Sequence, residues 1–147
     1  MRGPGLIITA DDFGLHPSVN RAVELAHRDG VLTAASMMVG APAMADAVAR
    51  ARACSRLRVG LHLVLADGRP VLSPHTIPDL VDENGCFRAQ TGAAMAREGM
   101  RFFCLPRVRR QLADEIRAQF DASPLPAWHS TTSTPTSIFT CTRRCWG

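Results

Sequence analysis

Apolar residues recur along this chain in two alternating rhythms. Short runs rich in β-branched residues are followed by stretches in which apolar positions return every three or four residues. Gly5 to Ala10 (GLIITA) predicts a buried first strand. Pro17-Ser18 predicts the start of a helix, with Ser18 as its cap, and Val19, Ala22, Val23 and Ala26 recur at helical spacing before Gly30 stops it. Val31 to Val39 predicts a second strand, Pro42 to about Cys54 a second helix, and Leu57 to Leu65 a third strand. Strand, helix, strand, helix, strand is the repeating unit of a parallel α/β fold.

The pattern then breaks. Asp67 to Gly85 holds Gly68, Pro70, Pro74, Pro78 and the turn signal Asn84-Gly85, and it predicts a long ordered loop with little regular structure. Loops of that length in compact domains are often functional. Gln90 to Gly99 predicts a short helix, and Pro106 to Ala122 a longer amphipathic one with Val108, Leu112, Ile116 and Phe120 on its apolar face. From Ser123 to Gly147 there is no Asp or Glu, Ser and Thr dominate, and no period survives, which predicts a disordered tail.

Composition narrows the class. At 147 residues, 46% hydrophobic and 20% charged, the chain suits one domain or part of a larger one, and neither a disordered chain nor a collagen. No apolar run is long enough for a transmembrane segment, and the amino-terminal run reads as a strand and not a signal peptide. All 17 basic residues are Arg, the net charge is only +4, and no aromatics interleave with the arginines. Solvated helix faces are therefore expected, and no nucleic-acid partner. Five cysteines without a C-x-x-C pair argue against a disulfide framework and make the cytoplasm the expected compartment.

The candidate chemistry is acidic and imidazole-based. Asp11 and Asp12 fall where the first strand should end, the edge at which parallel α/β folds build their sites. Adjacent carboxylates repel, and a divalent cation would relieve the conflict. The plainer alternative is that Asp12 caps the turn into the helix. His62 lies in the third strand (Val59-Gly60-Leu61-His62-Leu63), near the same edge. An aspartate with a histidine suits Zn²⁺ or Mn²⁺. His16 is a candidate for substrate binding, while His27 and His75 read as surface. G-x-S-x-G, G-x-G-x-x-G and phosphate-loop motifs are absent from the sequence. Asp12-Phe13-Gly14 matches a kinase triplet, but too few residues precede it for a nucleotide lobe.

Ile8-Thr9-Ala10-Asp11-Asp12-Phe13-Gly14, Val19-Asn20 and Gly60-Leu61-His62-Leu63 together resemble the YdjC-like carbohydrate deacetylase family, which includes chitooligosaccharide deacetylases. Arg69-Pro70-Val71-Leu72 and the run from Val108 to Phe120 resemble its hopanoid-biosynthesis-associated branch. The resemblance implies that residues 1–122 are the amino-terminal portion of a distorted β/α (TIM-like) barrel about twice this length. It implies removal of an N-acetyl group from an amino sugar or glycolipid, aided by a divalent metal (Zn, Mg or Mn). Asp12 and His62 would be metal ligands and Asp11 the general base, and full-length members would be homodimers. The family's third ligand comes from a later H-x-H segment, which this chain lacks.

The tail carries a further expectation. Read one nucleotide earlier, Thr136 to Thr142 are compatible with codons spelling H-K-H-F-H-L-H, which resembles the missing segment. The expectation is a one-base frameshift near Ala122-Ser123 that leaves residues 123–147 as non-native, disordered tail and the chain inactive. Two other functions stay open on the residues alone. One is a different Asp/His metal-dependent hydrolase or phosphotransferase, and the other a non-catalytic or vestigial protein.

Overall fold

The computed structural model describes residues 6–88, 99–102 and 104–124. The chain divides into two compact units, one running to His62 and the other from Leu63 to Ser123. The expected helix at residues 90–99 lies outside the described residues except for Gly99, and the expected tail lies outside them from residue 125 onward.

The first unit contains β1 (Thr9–Phe13), α1 (Pro17–Arg28), β2 (Ala34–Met37), α2 (Met44–Ala53) and β3 (Arg58–Leu61). The strands form a parallel sheet in the order β1-β2-β3. This is the alternation expected from the hydrophobic pattern. The boundaries differ: β1 starts later than predicted and runs through Asp11 and Asp12, β2 keeps only the centre of its apolar run, and β3 keeps only the first half. Ile8 still joins the sheet edge, because its carbonyl accepts from the Thr33 and Ala34 amides. Short parallel strands flanked by helices are buried on both faces, so apolar runs overshoot the ladder itself.

The core gathers Phe13, Val23, Met37, Ala47 and Val59, with Ile8, Ala10 and Val48 packed against it. On α1, Val23 and Asn20 are buried while Ala22 and Ala26 are exposed. Asn20 is fully buried yet fully used. Its Oδ1 accepts the Gly14 amide at 2.7 Å, and its Nδ2 donates to the Ala43 carbonyl and to Asp46. One side chain thus ties the turn after β1 to the start of α2. Ser18 does not cap α1 as expected: His16 is the cap, with Nδ1 accepting the Ser18 amide. An extended backbone at His16 aims its ring at that amide, and Ser18 is already inside the first turn.

In the second unit, the loop expected over Asp67 to Gly85 extends over residues 63–88, including the last residues expected in the third strand, and among the described residues it is closed by a bridge between Val81 and Phe87 around the Asn84-Gly85 turn. Gly85 has φ +72°, and Asp82 Oδ1 accepts the Asn84 and Cys86 amides. The Cys86 amide, more than any other neighbour, holds the Asp82 carboxyl below its ordinary value. Helix α3 (Pro106–Asp121) matches its predicted span but not its predicted face. Val108 is buried; Leu112 and Ile116 are half-buried and Phe120 is 58% exposed, while Gln111, Glu115 and Gln119 are buried instead. The reason is the loop. Amides such as those of Val64, Val71, Leu72 and Asp79 lie outside any strand ladder, and buried amides need partners. Gln119 makes a two-way pair with the Val64 amide and carbonyl, Glu115 accepts from the Val71 and Leu72 amides, and Gln111 accepts from Asp79.

Candidate active site

The site is built at the carboxyl end of the parallel sheet, and β1 supplies its two carboxylates. Successive strand residues normally point to opposite faces. Here the register with β2 shifts between Ala10 and Phe13, and Asp12 takes a left-handed backbone at φ +63°. A bulge of this kind re-aims a side chain. Asp11 and Asp12 therefore meet two side chains that touch each other, Ser36 and His62. Asp11 Oδ1 accepts from Ser36 Oγ at 2.7 Å, and Asp12 Oδ1 lies 3.8 Å from His62 Nδ1.

Gly14 makes the exit from β1. Its φ is +106°, and a Cβ placed there would lie 3.0 Å from the Met38 carbonyl oxygen. The turn brings α1 back over the sheet, held by the Asn20 contact.

His62 directly follows β3, and its amide extends the ladder to the Met37 carbonyl at 2.8 Å. Only 3% of the residue is exposed. Its Nδ1 lies 2.9 Å from Ser36 Oγ and 3.5 Å from the Asp12 amide. Ser36 sits mid-β2, in register with Gly60, so one strand lies between the two that carry the predicted residues. Asp11, Asp12 and His62 are brought together. His16 is an exposed helix cap whose ring bonds Ser18. His75 is exposed, but His27 is half-buried with Nδ1 2.8 Å from the Leu32 carbonyl oxygen, so it is less of a surface residue than its sequence context suggests.

Ser36 was not among the candidates from sequence. The available signal was a lone hydroxyl between apolar neighbours in Ala35-Ser36-Met37, on the strand that must lie next to β1 in a strand-helix-strand unit.

The comparisons with known proteins bear on this arrangement. The profile of the YdjC-like protein family matches residues 5–123, a span that contains every residue of the site. The chain belongs to the YdjC-like family. Curated relatives named carbohydrate deacetylase include one from Vibrio cholerae, 43% identical over 84 residues (57% of this chain and 32% of the relative). One from Brevibacillus brevis is 45% identical over 83 residues (56% and 33%), and one from Geobacillus stearothermophilus 40% identical over 94 residues (63% and 37%). The chain spans about a third of the length of these YdjC-like relatives. A crystal structure of an Enterococcus faecalis protein, described as a cellobiose-phosphate cleavage protein, superposes with a TM-score of 0.62 at 31% identity, covering 79% of this chain and 43% of that one. The mixed α/β architecture with a parallel sheet is therefore shared with a solved structure. Among the described residues, no helix is long and apolar enough to cross a membrane.

Proposed function

We propose that this chain carries part of the active site of a metal-dependent carbohydrate N-deacetylase built on a TIM-like barrel. The observation that carries the reading is the meeting of Asp11 and His62 on Ser36, with Asp12 beside His62, at the carboxyl edge of the sheet in a chain of this family. A carboxylate and an imidazole are donor types that suit Zn²⁺, Mn²⁺ or, less well, Mg²⁺. Among the described residues, no group of three or more His, Cys, Asp and Glu side chains is arranged so that it could hold a metal ion. Asp12 and His62 thus fit a cation as two donors of a set that is completed elsewhere. A histidine from the alternative reading frame of residues 136–142 is the proposed source.

When bound, the cation would polarise the amide carbonyl and acidify a water. Asp12 and His62 would hold it. Asp11 keeps one oxygen occupied by Ser36 and would use Oδ2 to take the proton of the attacking water, a general-base role. The buried ring of His62 limits water on that side. An N-acetylated amino sugar is the proposed substrate, with a glycosylated hopanoid as the finer suggestion from the branch resemblance. His16, at the start of α1, is a proposed substrate contact.

Acetate release from N-acetylated chito-oligosaccharides, with and without added Zn²⁺, Mn²⁺ or Mg²⁺, tests the reading on the chain as written and on the frame-restored gene. Metal-dependent release from the restored protein that is lost in Asp11→Asn supports it. No release from either protein favours a vestigial role. The description of the Enterococcus neighbour favours one second reading, cleavage of a phosphorylated disaccharide, and the same assay with such a substrate distinguishes it.

A further inference from the structure

We infer that Ser36 is a positioning residue that fixes His62 in the Nδ1–H tautomer and leaves the ring's lone pair on Nε2. Ser36 Oγ has one proton and two close polar neighbours, Asp11 Oδ1 at 2.7 Å and His62 Nδ1 at 2.9 Å. An ionised carboxylate only accepts, so the short contact to Asp11 takes the hydroxyl proton. The contact to His62 must then run the other way, with Nδ1–H donating to Oγ. The opposite assignment would give the Ser36 proton to Nδ1. It would leave two oxygens 2.7 Å apart with no hydrogen between them.

One contact competes. The Asp12 amide also points at Nδ1, but from 3.5 Å, at the outer limit for such a bond. It is the longest of the three, and it gives way.

The arrangement couples two groups through one hydroxyl. Asp11 orients Ser36, and Ser36 orients the ring. Hydrogen bonds of this kind select which imidazole nitrogen is available to a ligand. The tautomer rests on geometry within the first unit; only its use, presenting Nε2 to a cation, rests on the reading in the preceding section.

Side-chain ¹⁵N–¹H correlation spectra of the metal-free chain, recorded well above the ordinary imidazole range, test the assignment. The expected wild-type result is a pyrrole-type Nδ1 and a pyridine-type Nε2 for His62. Ser36→Ala should move the ring towards the Nε2–H form, and Ser36→Thr, which keeps a hydroxyl, should restore the wild-type pattern. An Nε2–H ring in the wild type, no change in Ser36→Ala, or equal loss in Ser36→Thr would overturn the inference. Amide dispersion checks folding, and if Ser36→Ala does not fold, the wild type and Ser36→Thr decide.

Metal affinity of the frame-restored protein gives a separate readout, expected to fall about 10- to 100-fold in Ser36→Ala. The two proposals fail separately. The expected tautomer with no metal binding would sustain Ser36 and remove the metal site. Metal binding at an Nε2–H ring would remove the Ser36 inference and leave the deacetylase reading standing.

Discussion

Asp12 occupies a backbone conformation that most side chains avoid. At φ +63° it is in the left-handed region, which aspartate and asparagine tolerate better than alanine. Charge and backbone can therefore be separated by mutation. Asp12→Asn should keep the urea midpoint of the wild type while weakening cation binding, whereas Asp12→Ala should also lower stability by about 1 kcal/mol. Equal midpoints for both variants would show that the bulge carries no strain. Gly14 is more restricted, with φ +106° and a carbonyl oxygen at its back. Gly14→Ala should cost about 1–3 kcal/mol, read as a fall in thermal midpoint. Asn20 is the third critical residue. Asn20→Leu leaves the Gly14 amide without its acceptor, at about 1–3 kcal/mol if that group stays buried. Asp11, Asp12 and His62 were legible in the sequence because aspartate pairs and strand-end histidines stand out against apolar runs. Ser36 was not, because a serine in a strand has no significance until pairing shows which side chains lie on either side.

At the scale of elements, α3 shows the limit of periodicity. Val108, Leu112, Ile116 and Phe120 satisfy a helical repeat, yet the buried positions after Val108 are Gln111, Glu115 and Gln119. The loop from residue 63 onward needs hydrogen-bond partners more than it needs apolar cover, and a pattern that scores only hydrophobicity is blind to that demand. Glu115 is the strongest test. Glu115→Leu leaves the Val71 and Leu72 amides without their acceptor and should cost about 1–3 kcal/mol for each, while Glu115→Gln, which keeps one oxygen, should cost less. A stable Glu115→Leu variant with unchanged amide exchange at Val71 and Leu72 would contradict this account.

Between α1 and α2 an ion pair from Arg50 to Glu24 adds to the buried contacts of Val23 and Ala47 in the shared core. Arg50 bonds Asp46 at 2.9 Å and also pairs with Glu24. The Arg50 guanidinium, and then Asn20, hold the Asp46 carboxyl below its ordinary value of 3.8, and the Arg50 guanidinium is raised in turn. A lowered folded-state value contributes stability that is fully present above the unfolded value and lost as pH falls through the folded one. The stability difference between wild type and Asp46→Asn should therefore be constant above about pH 4 and shrink below it. High salt should reduce it, because the pair is solvent-accessible. A difference independent of pH would contradict this account.

For the whole molecule, the sheet matters most. Among the described residues β2 is central and β1 and β3 are both edges. Unpaired parallel edges invite association. The 147-residue chain is expected to be poorly soluble or partly molten when expressed alone, checked by light scattering and by the sharpness of thermal unfolding. A monodisperse monomer with one cooperative transition would contradict that expectation. Much of this scale was determined by the sequence itself. The alternation of apolar runs and helical faces dictated a parallel α/β unit, since burial on two sides leaves that signature. It also marked where the carboxylates and His62 would fall along the chain. Only the tertiary structure decided that Asp12 lies beside His62, that Ser36 lies between Asp11 and His62, and that α3 turns a polar face inward. Those outcomes depend on strand register, a bulge, and the hydrogen-bond needs of a distant loop. Each is a relation between segments, and no local pattern encodes it.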